Sequence, residues 1–420
     1  MSDPLQAPRG TFDILPEQSA ARLEVERVTR AVLESAGYGR IETPVFEPTE
    51  LFTRSVGEAT DIVQKEMYTF IDGGERSLTL RPEVTAPIVR AYLQHGMHKL
   101  PQPVKLWYLS SCFRYERAQK GRYRQFWQIG AEAIGSDDPA VDAEAILLLS
   151  TILGELGVKD LHLRIGSLGG TEARERYREL LKTHLRAHED LLAGDVRARI
   201  DLNPLRAFDS ADPSTREVMS TAPLLLDHLD DEDLDHFAEV RSLLDAVGIS
   251  YSIDPTLVRG LDYYARTVFE FNSDALGAQS GVGGGGRYDG LAEQINGPPT
   301  PGFGWAAGIE RILLAATSLE DEAARTDLFV ILENQNRPTK ASGFALAAGA
   351  RAGGMTAQIE LAGRSVKGQF KHADRIGARF VAVVGDGRIE LKDLSNGEQT
   401  EHADDEGALR ALIELKGADQ

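Results

Sequence analysis

The sequence holds a single cysteine, Cys112. That excludes an intrachain disulfide and any Cys-x-x-Cys metal site. No stretch of about 18 apolar residues occurs, so no membrane-spanning helix is expected. Met1 to Gly10 carries an acid and two prolines and no apolar run. No signal peptide is therefore expected, and the chain reads as cytoplasmic. Positive charge is in short supply: 46 Lys and Arg stand against 65 Asp and Glu, a net charge of −19. A protein that coats nucleic acid indiscriminately is basic. Any nucleic-acid contact here must use local patches.

Several reaction motifs are also missing. No Gly-x-x-x-x-Gly-Lys-Ser/Thr occurs, which argues against a P-loop. No Gly-x-Ser-x-Gly elbow occurs. His188-Glu189 begins a zincin-like string but lacks the second histidine. Gly281–Gly286 formally matches Gly-x-Gly-x-x-Gly, yet Arg287-Tyr288-Asp289-Gly290 is a poor helix start and Ala306 stands where an acid is needed. These glycines instead allow close backbone approach, to a ligand or to another strand.

What is present is a globular chain of 420 residues, 42% hydrophobic and 26% charged. At about 150 residues per domain, two or three domains are expected. A first helix is predicted from Pro16 to Ala36, because Val25, Val28 and Val32 recur at i, i+3 and i+7 and Gly37 follows. Val104–Leu109 and Gln125–Ile134 read as strands around a polar, basic turn, a long hairpin. From about 170 to 248 charged helical patterns dominate, with an acidic run from Asp227 to Glu239 that reads as a solvated surface. Short strands and glycines resume at Tyr251–Trp305, so the acidic segment looks inserted.

From Thr326 onward strands and helices alternate: Leu328–Leu332, Lys340–Ala352, Thr356–Glu360, Ser365–Ile376, Arg379–Val384, Arg388–Asp393 and Asp404–Lys416. This predicts a compact α/β domain over 326–420 with a largely parallel sheet. It holds 12 basic and 14 acidic residues, so the excess acid lies upstream.

The hairpin turn carries the chemistry. Arg114, Arg117, Lys120, Arg122 and Arg124 face one acid, Glu116, a local charge of +4. It is either a solvated basic turn or a clamp for polyphosphate or an RNA end, since guanidinium pairs with phosphate through planar, bidentate hydrogen bonds. On the returning strand Phe126, Gln128, Gly130 and Glu132 share one face, and Trp127, Ile129 and Ala131 the other. Gln128 and Glu132 would stand roughly 13 Å apart at about 3.3 Å per residue, with Gly130 leaving room between them for a small polar ligand. The alternative is a solvated strand face. Glu83 and Thr85, in Leu80-Arg81-Pro82-Glu83-Val84-Thr85, fit either an amino-group site or a capped turn. Leu257–Tyr264 clusters Arg259 with Tyr263 and Tyr264, whose commonest role is burial with a satisfied hydroxyl. Gly302–Arg311 reads as a glycine-rich strand entering a helix. Arg311 in the first turn does not serve the helix dipole, so an anion is the better partner.

Taken together these stretches resemble the class II aminoacyl-tRNA synthetases, and among them the histidyl-tRNA synthetase family. The resemblance spans nearly the whole chain, from Pro8–Pro16 onward. Tyr38–Glu47, with Pro44, looks like motif 1, Phe113-Arg114-Tyr115-Glu116 through Glu132 like motif 2, and Gly308-Ile309-Glu310-Arg311 like motif 3. Leu257–Tyr264 and Gly284–Leu291 point to histidine.

The resemblance implies an α+β catalytic domain over 1–325 with a mostly antiparallel sheet. A mainly helical insertion at about 170–248 interrupts it, and an anticodon-binding α/β domain follows. It implies ATP as substrate, Mg2+, tRNA(His) and histidine as partners, and a homodimer built through motif 1. Glu83, Thr85 and Gln128 would hold the α-amino end of histidine. Glu132 and Tyr264 would hold the imidazole, with Tyr263 beside them. Arg114 would bind the α-phosphate, Phe126 would stack on adenine, and Glu116 would meet the adenine amino group. Arg311 and Arg122 would address the outer phosphates. Arg259 would lie against the α-phosphate, where related enzymes place a metal ion. Arg114, Arg259 and Arg311 are thus the expected catalytic groups. Arg117 and Gln119 would meet the tRNA acceptor end. Lys367, Lys371 and Arg375 recur every four residues and would steer anticodon phosphates, with Val366, Phe370 and Ala373 facing away. Few exposed aromatics are expected in that domain. The competing expectation is a regulatory paralogue, a subunit of ATP phosphoribosyltransferase in histidine biosynthesis. Such paralogues typically lose catalytic arginines and the last domain.

Overall fold

The structure, a computed structural model, describes residues 5–57, 60–117, 119–316 and 326–417. The chain forms two compact units, Met1–Glu320 and Asp321–Gln420. The expected boundary at 325/326 adjoins residues 317–325, which lie outside the described residues.

The first unit opens with α1 (Pro16–Ser35), whose Val25, Val28 and Val32 are buried. Then come β1 (Gly39–Arg40), β2 (Phe46–Pro48), α2 (Thr49–Val56), β3 (Tyr68–Ile71), β4 (Ser77–Leu80) and α3 (Thr85–Gln94). The hairpin is β5 (Val104–Phe113) and β6 (Gln125–Ile134), and α4 (Pro139–Glu155) and β7 (Leu161–Ser167) follow. β5 runs four residues past the expected Leu109, because Ser110 to Phe113 pair in register with Gln128 to Gln125. Pairing, rather than an apolar pattern, extends it. The segment expected to be helical holds α5 (Thr171–Ala187), α6 (Gly194–Arg197), α7 (Pro213–Met219) and α8 (Asp231–Ala246). The unit closes with β8 (Ser252–Ile253), β9 (Ala265–Ser273), β10 (Gly281–Arg287), α9 (Leu291–Gln294), β11 (Gly302–Gly308) and α10 (Ile309–Ala315).

One eight-stranded sheet organises this unit in the order β1-β5-β6-β11-β10-β9-β7-β8. It is antiparallel from β5 to β7, with a short parallel strand at each edge. Alternation along each strand gives it two faces. Trp107, Ile129, Ala131, Phe269, Phe303 and Trp305 pack on one face with apolar residues of α1, α4, α8 and α10. Tyr108, Ile134, Val268 and Tyr288 belong to the core of the other face, with residues of α3, α5 and the 257–264 stretch. A separate three-stranded sheet has the order β2-β4-β3.

The second unit comprises β12 (Leu328–Leu332), α11 (Arg337–Ala352), β13 (Ala357–Ile359), α12 (Val366–Arg375), β14 (Phe380–Gly385), β15 (Arg388–Asp393), β16 (Gln399–His402) and α13 (Asp405–Gly417). Its sheet order is β13-β12-β14-β15-β16. The expectation of a largely parallel sheet needs correcting. Only β13, β12 and β14 are parallel, and β15 and β16 return antiparallel. The turn at Ser395-Asn396-Gly397 closes a hairpin onto β16, a polar edge strand with no apolar pattern to announce it. α11 starts three residues earlier than Lys340, because Asn336 Oδ1 accepts from Thr339 N at 2.8 Å and caps it.

On α12, Phe370 does not face inward as expected: it is 37% exposed. Gln369 takes the inner position. Its Nε2 donates to Leu332 O at 3.0 Å, and its Oε1 accepts from Leu332 N at 2.8 Å. A hydrogen-bonding amide outcompetes the ring because the end of β12 has free main-chain groups to satisfy. Phe344 is 62% exposed as well, so exposed aromatics are present where few were expected.

Candidate active site

β6 supplies the floor. Its apolar face packs in the core, while Phe126 and Gln128 line a cavity of about 300 Å³. Gly130 lies between Gln128 and Glu132, but the space beside it is not open to a ligand. A Cβ at Gly130 would stand 2.2 Å from Tyr108 Cζ. The tyrosine ring occupies the gap, which corrects the expected open slot between Gln128 and Glu132. Glu132 lies beyond that ring, fully buried and off the cavity surface. Its Oε1 accepts from Thr85 Oγ1 at 2.8 Å and its Oε2 from the Tyr288 hydroxyl at 2.7 Å. Burial pushes the Glu132 carboxyl up to about 8, against the opposing pull of these two donors.

Glu83 and Thr85 sit where β4 hands over to α3. The Glu83 carboxylate accepts from Thr85 N at 2.7 Å and Ala86 N at 3.1 Å, so it caps α3 while facing the cavity. The cap is thus made by Glu83, where a capping Thr85 was one of the two expectations. Burial raises Glu83 to about 7, and the amides of Ala86 and Thr85 and the charge of Arg114 resist the rise. Tyr263 and Tyr264 are buried with ring centroids 4.7 Å apart, and both contribute to the cavity wall. Thr85 therefore links the Glu83 turn to Glu132.

The cations come from separated stretches. Arg114 leaves β5 just past its end. Its Nε donates to Pro82 O at 2.9 Å, and its guanidinium lies 5.3 Å from the centre of the Phe126 ring. Glu116 lies between Arg114 and Arg122, at 3.9 and 3.4 Å. Glu116 Oε2 is buried without a hydrogen-bond partner. Arg311, in the first turn of α10, donates Nε to Gly121 O at 3.2 Å and Nη1 to Gly281 O. Burial, with Arg122 nearby, lowers its pKa. Arg259 pairs through Nη1 with Glu270 Oε2, and its buried Nε has no hydrogen-bond partner. Arg164 holds the other Glu270 oxygen at 3.2 Å. The glycines of β10 explain how so much charge fits beside a sheet. A Cβ at Gly284 would stand 2.5 Å from Phe269 O, and one at Gly285 1.9 Å from Gly304 O. They permit close strand packing, and Gly281, Gly283 and Gly284 also line the cavity.

One cavity thus gathers Glu83, Thr85, Arg114, Glu116, Arg122, Phe126, Gln128, Arg259, Tyr263, Tyr264 and Arg311. A small amino acid and a triphosphate have complementary groups here: carboxylates for an amine, guanidinium groups for phosphate, and an aromatic face for a base. Residues 10–312 match the family model for histidyl-tRNA synthetase. The chain belongs to the histidyl-tRNA synthetase family.

Individual relatives agree. The histidine–tRNA ligase of Thermosynechococcus vestitus is 48% identical over 402 residues, covering 94% of this chain and 93% of that protein. The apo histidyl-tRNA synthetase of S. aureus superposes with a TM-score of 0.81 at 36% identity, over 98% of this chain and 100% of that one. An ATP phosphoribosyltransferase regulatory subunit/histidyl-tRNA synthetase from Bacillus halodurans shares the fold, with a TM-score of 0.66 at 24% identity over 92% of this chain and 100% of that one. The first unit accordingly has the class II synthetase fold.

Some expected residues lie outside the histidyl-tRNA synthetase cavity. Arg117 and Gln119 are exposed on the hairpin turn, and Gln119 helps line a neighbouring depression with Gly121, Arg311 and Leu314. Lys367, Lys371 and Arg375 are exposed on α12. Sequence reasoning missed Tyr108, Glu270 and Glu310, all on the cavity wall. Glu310 accepts from Arg22 at 2.8 Å and from Trp127 N at 3.1 Å, joining α1 to the floor. Tyr108 stands opposite Gly130 in the β5–β6 register, a pairing that only the sheet reveals.

Proposed function

We infer that the protein is a histidine–tRNA ligase, which activates histidine with ATP and transfers it to the 3′ end of tRNA(His). The observation that carries this reading is the convergence of Arg114, Arg259 and Arg311, from three distant stretches, on one cavity beside Tyr263 and Tyr264. The regulatory-paralogue reading loses support for the same reason, since those arginines and the second unit are present.

Histidine's carboxylate oxygen attacks the α-phosphorus, an O–P bond forms, and the bond to pyrophosphate breaks. Both reactants are anions. Arg114 and Arg259 offset their repulsion and stabilise the charge that builds on the phosphoryl oxygens. Arg311 and Arg122 hold the outer phosphates, and Phe126 stacks on adenine with Glu116 at its amino group. Glu83, Thr85 and Gln128 take the ammonium. Tyr264 takes the imidazole, with Tyr263 beside it; Glu132, expected to hold the ring directly, stands behind the wall, bonded to Thr85 and Tyr288. A ribose hydroxyl of the tRNA then attacks the acyl carbon and AMP leaves. No covalent enzyme intermediate is needed, so positioning supplies much of the rate.

Mg2+ fits as the counter-ion of the triphosphate. Such ions are held by one or two carboxylates plus phosphate oxygens and water. Glu116, which has Arg122 at 3.4 Å, and Glu270 are on the cavity wall together with Glu83 and Glu310. Among the described residues no group of three acids, histidines or cysteines forms an all-protein site. The ion would polarise the phosphates.

Arg117 and Gln119 are read as contacts to the acceptor end. Residues 326–420 are read as the anticodon-binding domain, with Lys367, Lys371 and Arg375 meeting phosphates. A second copy of this chain is the partner we assign to the small three-stranded sheet. Val45, Phe46, Phe70 and Ile71 are exposed there, and Phe46 and Phe70 meet edge to face at 6.1 Å. Such clusters mark interfaces. The tRNA substrate puts the protein in the cytoplasm, and no helix among the described residues is long and apolar enough to cross a membrane. Histidine-dependent exchange of pyrophosphate into ATP tests the assignment. Activity with proline or threonine instead, or none by folded protein, would overturn it.

A further inference from the structure

The helical segment from α5 to α8 contributes nothing to the cavity lining. Yet its side chains grip the stretch that carries Arg259, Tyr263 and Tyr264. Arg174, near the start of α5, donates Nη1 to the main-chain oxygen of Tyr264. Asn203 Nδ2 donates to Asp262 Oδ1 at 2.8 Å. Asp262 N in turn donates to Val56 O at 3.3 Å. The Asp262 carboxylate also rests against Gly57, where a Cβ would stand 2.6 Å from Oδ2. Asp233 of α8 pairs with Arg266 at 3.1 Å, two residues past Tyr264.

Residues 257–264 lie in no strand or helix. No ladder of main-chain hydrogen bonds sets their path, so isolated bonds from neighbours must do so. Arg174 is half-buried, and burial lowers its pKa. A cation in that position needs a partner, and a carbonyl with Asp262 nearby supplies one.

We propose that Arg174 and Asn203 are positioning residues for histidine: they hold the main chain at Tyr264 and Asp262 so that the paired tyrosines close the histidine end of the cavity. This rests on the ligase reading. Neither residue touches substrate. Their loss shifts the tyrosines, and a displacement of about 1 Å from a remote change is enough to cost on the order of 100-fold.

The test is histidine-dependent pyrophosphate exchange by the full chain, with KM measured separately for histidine and ATP. Arg174→Ala and Asn203→Ala should each raise KM for histidine by about 10-fold or more while KM for ATP stays within about twofold. Arg174→Lys should recover most of the loss. Arg176→Ala, exposed on the same helix, should match the parent. The proposal is overturned if histidine KM stays within about twofold of the parent, or if both KM values rise in step, the mark of general loosening. Should Arg174→Ala fail to fold by circular dichroism, Asn203→Asp takes its place. It sets a second carboxylate against Asp262, and an unchanged histidine KM sinks the idea. A parent protein without exchange activity would sink the ligase reading instead.

Discussion

Tyr288 donates its hydroxyl to Glu132 Oε2 at 2.7 Å, with both side chains sealed from solvent. The tyrosine comes from the end of the glycine-rich stretch and the acid from the hairpin, 156 residues apart. Between them they fix the inner wall against which the two tyrosines of the 257–264 stretch pack.

That relationship has a consequence for stability. Burial raises Glu132 from 4.5 to about 8 in the folded protein. The folded state therefore binds a proton that the unfolded state releases between those values. Stability from this group is full below pH 4.5 and is lost as pH climbs through about 8. Glu132→Gln removes the titration. The melting temperature of the parent minus that of the variant should fall between pH 5 and pH 8. A flat difference would refute the raised value.

Glu83 predicts a pH dependence for substrate. Burial holds its carboxyl at about 7 in the empty site, so below that value it is protonated and cannot attract an ammonium. KM for histidine should fall as pH rises toward about 7, with a slope approaching one log unit per pH unit at the acid end, and level off above about pH 8. Glu83→Gln should flatten that slope. Persistence of the slope in the variant would assign it to another group.

Arg259→His should reduce pyrophosphate exchange by at least about 100-fold, the scale of losing one preorganised charge at a transition state. The melting profile and the oligomeric state should stay those of the parent. Near-normal exchange would remove Arg259 from the reaction.

The exposed face of α12 makes a prediction about the second step alone. Phe370 stands between Lys367 and Lys371 in the sequence and is exposed with them. Lys367→Ala should weaken tRNA binding and reduce its salt dependence, and Phe370→Ala should cost about 1–3 kcal/mol if a base stacks there. Neither should alter exchange. An effect on exchange without one on charging would contradict the assignment of residues 326–420.

Much of this was legible in the chain. α1, the hairpin strands up to Leu109 and nearly every element of the second unit follow from apolar periodicity, which local sequence carries, whereas the end of β5 follows from pairing. β16 was not, because an edge strand that buries nothing has no pattern to display. Phe370 was misplaced because a buried position on α12 went to Gln369, whose amide satisfies β12. Tyr108 was missed because its role depends on Gly130 across the hairpin.

Sequence by itself determined the stock of groups: arginines in an acidic protein, a carboxylate beside a helix start, paired tyrosines after a glycine, and no thiol or triad chemistry. Tertiary structure decided which of them meet. Strands are laid side by side only when the sheet closes, so Glu132 became an inner wall behind Tyr108 rather than an open ligand contact. The grip of Arg174 and Asn203 on the tyrosine stretch likewise exists only once distant segments are packed. Such pairings leave no trace in local periodicity, because the energy that selects them comes from burial and hydrogen bonding between parts of the chain far apart in order.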